Sequence, residues 1–290
     1  MRLANLGGRA TLVVPGADDR GVDVAEASGG KFGPDVQGLY DDWDAFRAFV
    51  ADVDLTTVAH APFDPAELNA PVPAPRQVFG IGLNYRSHAA ESGMDLPTMP
   101  ATFTKFPASI TGPFAEVELP NDTVDWEVEL VVVIGRRADW VAAADAWSHV
   151  AGVTVGQDLS DRTLQLAAGA QFSLGKSHRG FTPLGPWVVT PDELADPDDL
   201  ALGCSIDGET VQDGRTSDLV FGVSQLIAEL SAVVPLLPGD IIFTGTPGGV
   251  GFARKPPRFL QPGEILTSWV EGIGTIRTGF VSRAGGHDAG

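Results

Sequence analysis

The 290-residue chain has a single cysteine, Cys204, so no intrachain disulfide can form. This fits a reducing cytoplasm, and a lone cysteine is far more often a small core residue than a nucleophile. Basic residues are scarce: 19 Lys and Arg stand against 38 Asp and Glu, a formal net charge of −19. No basic stripe stands out, and such a field repels nucleic acid and anionic membrane surfaces. An anionic substrate therefore needs local cations, from a metal or from Arg and Lys. Long apolar runs are also missing. The opening MRLANLGGRATLVVPG lacks the core of a signal peptide, and the run from Leu130 to Ile134 is too short to span a bilayer. The expectation is a soluble, cytoplasmic protein with neither nucleic acid nor membrane as partner.

Common nucleotide and hydrolase signatures are absent as well. Gly80-Ile81-Gly82 begins like a dinucleotide fingerprint, but Tyr85 stands where the third glycine belongs. Gly175-Lys176-Ser177 ends like a P-loop, yet the upstream glycine, Gly169, is one position too far away. Pro183 also follows too soon for a long helix. There is no HExxH, CxxC or GxSxG.

What is present is an ordinary core-forming composition, 43% hydrophobic, with 35 Gly and 22 Pro. So many turn-formers predict short strands rather than a helical bundle. The proline cluster Pro71, Pro73 and Pro75 reads as a boundary. It divides a small N-terminal α/β domain, residues 1–70, from a larger domain, residues 71–290. The first holds a strand at Ala10 to Val14 and a polar helical stretch near Asp41 to Val53. The second holds strands in VFGIGL, WEVELVVVI, Ala151 to Val155, Asp240 to Thr244 and Glu264 to Val270. A short helix from Ser87 to Gly93 is expected to open on Ser87 as N-cap and to close on the glycine. Leu219 to Val234 contains a helix with Phe221, Val223, Leu226, Ile227 and Leu230 on one face. The fold class is α+β, mostly β.

Strand alternation in WEVELVVVI puts Trp126, Val128, Leu130, Val132 and Ile134 on one face. The other face carries Glu127, Glu129, Val131 and Val133. Two carboxylates then lie side by side at the end of an apolar strand. They repel each other, and burial is costly unless something positive lies between them. Either this strand end reaches solvent, or the pair holds a metal. Asp158 ends another apolar strand, GVTVGQD; it is either a turn residue leading into SDRT or a third ligand. Three carboxylates without clustered Cys or His would select a hard cation, Mg²⁺, Mn²⁺ or Ca²⁺, rather than Zn²⁺.

Six ordered segments carry a more specific signal: GLNYRSHAAE, FTKFPASITGP, DWEVELVVVIG, GVTVGQDLSDR, SLGKSHRGFTPLGPW and LLPGDIIFTGTPGGVG. Together they resemble the fumarylacetoacetate hydrolase family, from about Val78 to Gly251 and on toward the C-terminus. The resemblance implies a mixed β-roll catalytic domain, assembled as a homodimer, with a small added N-terminal region. It implies a metal, Mg²⁺ or Mn²⁺ with Ca²⁺ as a further option, held by Glu127, Glu129 and Asp158. It places a His88–Glu91 pair on a lid segment, makes Lys176 catalytic, and turns Arg162, Thr246, Tyr85 and Gly245 toward the substrate. Gln157 and Gly249 depart from the family's common Asn and Ala. His178 and Arg179 fall at variable positions suited to tuning substrate choice.

The substrate class so implied is a 2-oxo or 2,4-dioxo acid. A metal chelating the carboxylate and adjacent oxo group stabilises an enolate, and Lys176 adds positive charge beside it. With Glu91 orienting His88, the imidazole can activate water for C–C hydrolysis of an acylpyruvate-like compound. The alternative is an isomerase, oxaloacetate tautomerase or decarboxylase, of the hydroxymuconate type in aromatic catabolism, which needs no attacking water. A non-catalytic binding protein on the same scaffold would have shed the ligands or Lys176; this chain keeps them.

Overall fold

The structure, a computed structural model, describes residues 1–283 apart from 56, 168 and 170. The C-terminal AGGHDAG lies outside the described residues. Strands dominate, in agreement with the mostly-β expectation. A twelve-stranded mixed sheet runs in the order Ala61–Pro62, Ala17–Asp23, Arg9–Val14, Arg2–Leu6, Thr182–Val189, Val150–Gln157, Val128–Ile134, Ile241–Phe243, Val78–Gly82 and Ala101–Thr104. Leu68–Asn69 and Ile110–Thr111 pair off this path. A second, five-stranded sheet runs Glu209–Arg215, Ala201–Ile206, Ile265–Val270, Gly274–Ser282 and Glu116–Leu119.

Val128–Ile134 sits near the middle of the large sheet, and all seven of its residues are buried. Its β-branched side chains suit a pleated surface covered on both faces. Alternation divides them between two cores. Val128, Leu130, Val132 and Ile134 join Trp126 and the second sheet. Val131 and Val133 join the N-terminal residues Leu3, Leu12, Tyr40, Trp43 and Phe46. Burying each such side chain is worth roughly 1.5–3 kcal/mol, so this strand is the fixed rail of the molecule.

The sheet continues across the boundary expected at residue 70. Arg2 and Leu3 pair with Val189 and Val188, and the proline cluster is tied inward by a hydrogen bond from the Tyr40 hydroxyl to the Pro71 carbonyl, 3.1 Å. The first 70 residues thus contribute their apolar face to a core shared with Val128–Ile134, Thr182–Val189 and Ile241–Phe243.

One helix start differs from expectation. The short helix spans Arg86–Ser92 with Tyr85 as N-cap, and Gly93 closes it in the left-handed region at φ 64°. Ser87 lies inside the first turn. The cap comes from a distant residue: the Ser87 N–H donates to Asp218 Oδ2 at 3.0 Å. The later helix, Val223–Ser231, begins after Gly222 and buries Val223, Leu226, Ile227 and Leu230. Among the described residues, no helix is long and apolar enough to cross a membrane.

Candidate active site

Antiparallel pairing builds the centre. Val128 lies opposite Gln157 and Glu129 opposite Gly156. Continuing that register sets Asp158 across from Glu127, and the Asp158 N–H donates to the Glu127 carbonyl at 2.9 Å. Side chains two apart on a strand, and those directly across it, share a face. Glu127, Glu129 and Asp158 therefore converge, each offering an oxygen within 4.8 Å of the others. The strand end does not reach solvent: the three residues are 6%, 2% and 0% exposed.

Cations surround them. Lys176 Nζ bridges Glu127 Oε2 at 2.7 Å and Asp158 Oδ2 at 2.6 Å. Lys105 Nζ, fully buried, donates to Asp158 Oδ1 at 2.6 Å and to the carbonyls of Lys176 and Phe181. Arg162 Nη1 meets Glu127 Oε1 at 2.8 Å, while its Nε and Nη2 hold Asp125 Oδ2 at 2.8 and 2.6 Å. Asp125 also accepts the N–H groups of Trp126, Gly251 and Phe252. Four buried carboxylates thus face three cations, so the ionised cluster carries one negative charge in excess.

That excess falls on Glu129. Burial, then the charges of Asp158 and Glu127, push its carboxyl well above the usual range, against Lys176 and the Gly245 N–H. Glu127 goes the other way. Burial alone would raise it, but Lys176, Arg162 and His88 outweigh burial and hold it low. Lys176 is raised because Asp158 and Glu127 overcome its desolvation. Lys105 is lowered, since burial outweighs Asp158. A divalent cation would relieve the excess, and an all-carboxylate donor set suits a hard one. The residues therefore fit such an ion.

The His88–Glu91 pair lies near enough for His88 to act on Glu127 through its charge. His88 Nδ1 and Glu91 Oε1 are 2.7 Å apart. Glu91 Oε2 accepts the Gly249 N–H at 2.7 Å, pinning the helix to the turn after Ile241–Phe243. An ionised Glu91 can only accept, so in the neutral form of His88 the proton sits on Nδ1 and Nε2 presents a lone pair.

The other residues that the resemblance turns toward the substrate have these contacts. The Gly245 N–H donates to Glu129 Oε2 at 2.6 Å. The Thr246 hydroxyl donates to the Val128 carbonyl at 2.9 Å and accepts from Gln212 Nε2 at 2.8 Å. Both secure the strand that carries Glu129. Arg162, which the resemblance turns toward the substrate, pairs with Asp125 and Glu127. Tyr85 is fully buried and its hydroxyl has no hydrogen-bond partner. Burial and the charges of Glu129 and Asp218 push that phenol upward. Gln157 accepts the Glu127 N–H at 2.9 Å and donates to Ser268 at 2.8 Å, tying the site to the second sheet.

Lys105, Asp125 and Gln165 carry no role in the sequence reading. Gln165 accepts from Arg162 Nη1 at 2.9 Å. The usable signal was scarcity: the chain has four lysines, and Lys105 lies between Phe103 and Phe106 in a segment too apolar for a solvated charge.

A family model described as the C-terminal domain of fumarylacetoacetate (FAA) hydrolase matches residues 77–281. The human protein "Oxaloacetate tautomerase FAHD2A, mitochondrial" is 47% identical over 210 residues, covering 71% of this chain and 67% of that one. The crystal structure of a Mycobacterium smegmatis protein assigned as HpcE is 55% identical with a TM-score of 0.90, covering 98% of this chain and 100% of that one. Maleylpyruvate hydrolase from Sphingobium sp. SYK-6, solved with manganese(II) and pyruvate, is 29% identical with a TM-score of 0.79, covering 97% and 99%. The buried carboxylate cluster thus lies on an enzyme scaffold, and the chain belongs to the fumarylacetoacetate hydrolase family.

Proposed function

We propose that the chain is a divalent-cation-dependent tautomerase that interconverts the keto and enol forms of oxaloacetate or a close 2-oxo acid. The observation that carries this reading is the buried Glu127–Glu129–Asp158 cluster with Lys176 Nζ at 2.7 and 2.6 Å. The 47% identity to an oxaloacetate tautomerase supports the choice of reaction. Glu127, Glu129 and Asp158 would hold the ion, Mg²⁺ or Mn²⁺. When bound, it supplies Lewis-acid polarisation of a carboxylate and its adjacent oxo group.

The chain's own groups do the rest. His88 Nε2 takes a proton from C3, and Glu91 stabilises the imidazolium that results. The C–H electron pair becomes the C2–C3 double bond, and the carbonyl π pair moves to the C2 oxygen. The Lys176 ammonium lies beside that oxygen and lowers the energy of the enolate. The proton held on His88 passes to that oxygen, relayed through solvent, which completes the enol and restores the neutral imidazole; the reverse order gives the ketone. Tyr85, with its unsatisfied hydroxyl, supplies a donor on the substrate side.

A second reading is C–C hydrolysis of a 2,4-dioxo acid, in which His88 deprotonates water instead. The likeness to maleylpyruvate hydrolase favours it. With Mn²⁺, loss of the oxaloacetate enol absorbance above the spontaneous rate supports the tautomerase. Cleavage of an acylpyruvate panel with oxaloacetate left unaccelerated would favour the hydrolase.

A further inference from the structure

Asp161 touches none of the cluster carboxylates, yet it is 2% exposed and collects an unusual number of donors. His178 Nε2 lies 3.0 Å from its Oδ2, and Asn121 Nδ2 donates to the same oxygen at 2.8 Å. The Leu164 N–H donates to Oδ1 at 3.0 Å, which caps the helix Arg162–Ala167. The Asp161 N–H in turn donates to the Gly175 carbonyl at 2.8 Å. Gly175 and His178 bracket Lys176. Both sides of this four-residue segment are therefore fastened to one aspartate, whose neighbour is Arg162. The packing leaves no slack: a Cβ on Gly175 would come within 2.5 Å of the Gln165 nitrogen. His178 also lies against Phe181, ring centroids 4.9 Å apart, and the Phe181 N–H donates to the His178 carbonyl at 3.0 Å.

We propose that Asp161 and His178 form a positioning pair that fixes Lys176 relative to Arg162, so that the ammonium and the carboxylate cluster present one geometry to a bound oxo acid. His178 is not a catalytic residue, because it touches none of the cluster groups. It acts through the Lys176 backbone. Without it, one anchor of the bracket is lost, and Lys176 samples positions from which it supports the enolate less well. Preorganised charge is worth most when it need not reorganise during the reaction. This inference rests on the role given to Lys176 above.

The test uses the full-length chain with His178→Ala and His178→Gln. The glutamine keeps a neutral N–H donor of similar reach. Three quantities are read: Mn²⁺ affinity by calorimetry, affinity of the Mn²⁺-loaded protein for oxalate, an enolate-shaped dianion, and kcat for oxaloacetate enol loss. Thermal melting confirms folding. For His178→Ala the expected result is Mn²⁺ affinity within about twofold of wild type, with oxalate affinity and kcat each lower by about tenfold. His178→Gln should recover most of both. Unchanged oxalate affinity and kcat in His178→Ala would overturn the proposal. So would an equal fall in Mn²⁺ affinity, or a glutamine variant as impaired as alanine. If the wild type ignored oxaloacetate, the tautomerase reading would fail while the oxalate measurement still decided the role of the pair.

Discussion

Asp158 lies directly across the antiparallel pair from Glu127, and its backbone N–H donates to the Glu127 carbonyl at 2.9 Å. Two carboxylates that repel are held on one face by the same sheet register that holds the core. The cost of bringing them together is met by Lys105, Lys176 and Arg162.

Lys105 is the buried partner of Asp158 Oδ1. Lys105→Met removes the charge and leaves a buried carboxylate oxygen without its donor. Loss of one member of a buried pair costs about 3–5 kcal/mol, so urea unfolding should show a fall of that order. Mn²⁺ affinity should rise, because losing Lys105 adds a second excess negative charge around the three carboxylates while Lys176 still holds Asp158 Oδ2. A variant as stable as wild type, with unchanged affinity, would remove Lys105 from the account.

His88 and Glu91 touch none of the three carboxylates through a hydrogen bond; the proposed mechanism gives them proton transfer. His88→Ala should lower kcat by about 10²–10⁴-fold, the usual contribution of a positioned acid–base group. Mn²⁺ affinity measured calorimetrically should stay within a fewfold. Glu91→Gln keeps the shape of the pair but not its charge and should fall between the two.

Glu129 sets a pH dependence. Its carboxyl is raised by burial and by Asp158 and Glu127. A raised carboxyl means that the folded, metal-free protein binds this proton more tightly than the unfolded chain does. Its contribution to stability is therefore present below the unfolded value and is lost as pH rises through the folded one. An entering cation must expel that proton, so Mn²⁺ binding should release protons and tighten as pH rises. Calorimetry in two buffers of different ionisation enthalpy reads the release. Identical apparent enthalpies would contradict it.

Gly251 tests the hub at Asp125. A Cβ there would lie 1.9 Å from the Arg258 carbonyl oxygen and 2.7 Å from Asp125 Oδ1. Gly251→Ala must displace the turn that donates two N–H groups to Asp125. Overpacking of this kind costs about 1–3 kcal/mol, and Arg162 loses its fixed partner. A lower melting temperature together with reduced kcat is expected; a silent substitution would show that the turn can yield.

The sequence was most readable where one segment carried its own signal. The β-branched run at Val128–Ile134 announced a buried strand, and the spacing of Glu127 and Glu129 put both on one face. The ordered segments attached Asp158, Lys176 and the His88–Glu91 pair. Features that depend on pairing were not readable. Lys105 reaches Asp158 from 53 residues away, and Arg162 finds Asp125 rather than its chain neighbour Asp161. The cap on Arg86–Ser92 comes from Asp218, so local rules placed it on Ser87. The N-terminal strands looked separable because a proline cluster follows them. Their pairing with Thr182–Val189 depends on an edge that no local pattern reveals.

The central claim is that a cation held by Glu127, Glu129 and Asp158 enables enolate chemistry on an oxo acid. The most direct measurement is the rate of oxaloacetate enol loss for the chelator-treated protein, the Mn²⁺-loaded protein and a Glu129→Gln variant with Mn²⁺. The account predicts acceleration above the spontaneous, Mn²⁺-corrected rate for the loaded wild type alone. Equal acceleration by the chelated protein or by Glu129→Gln would contradict it.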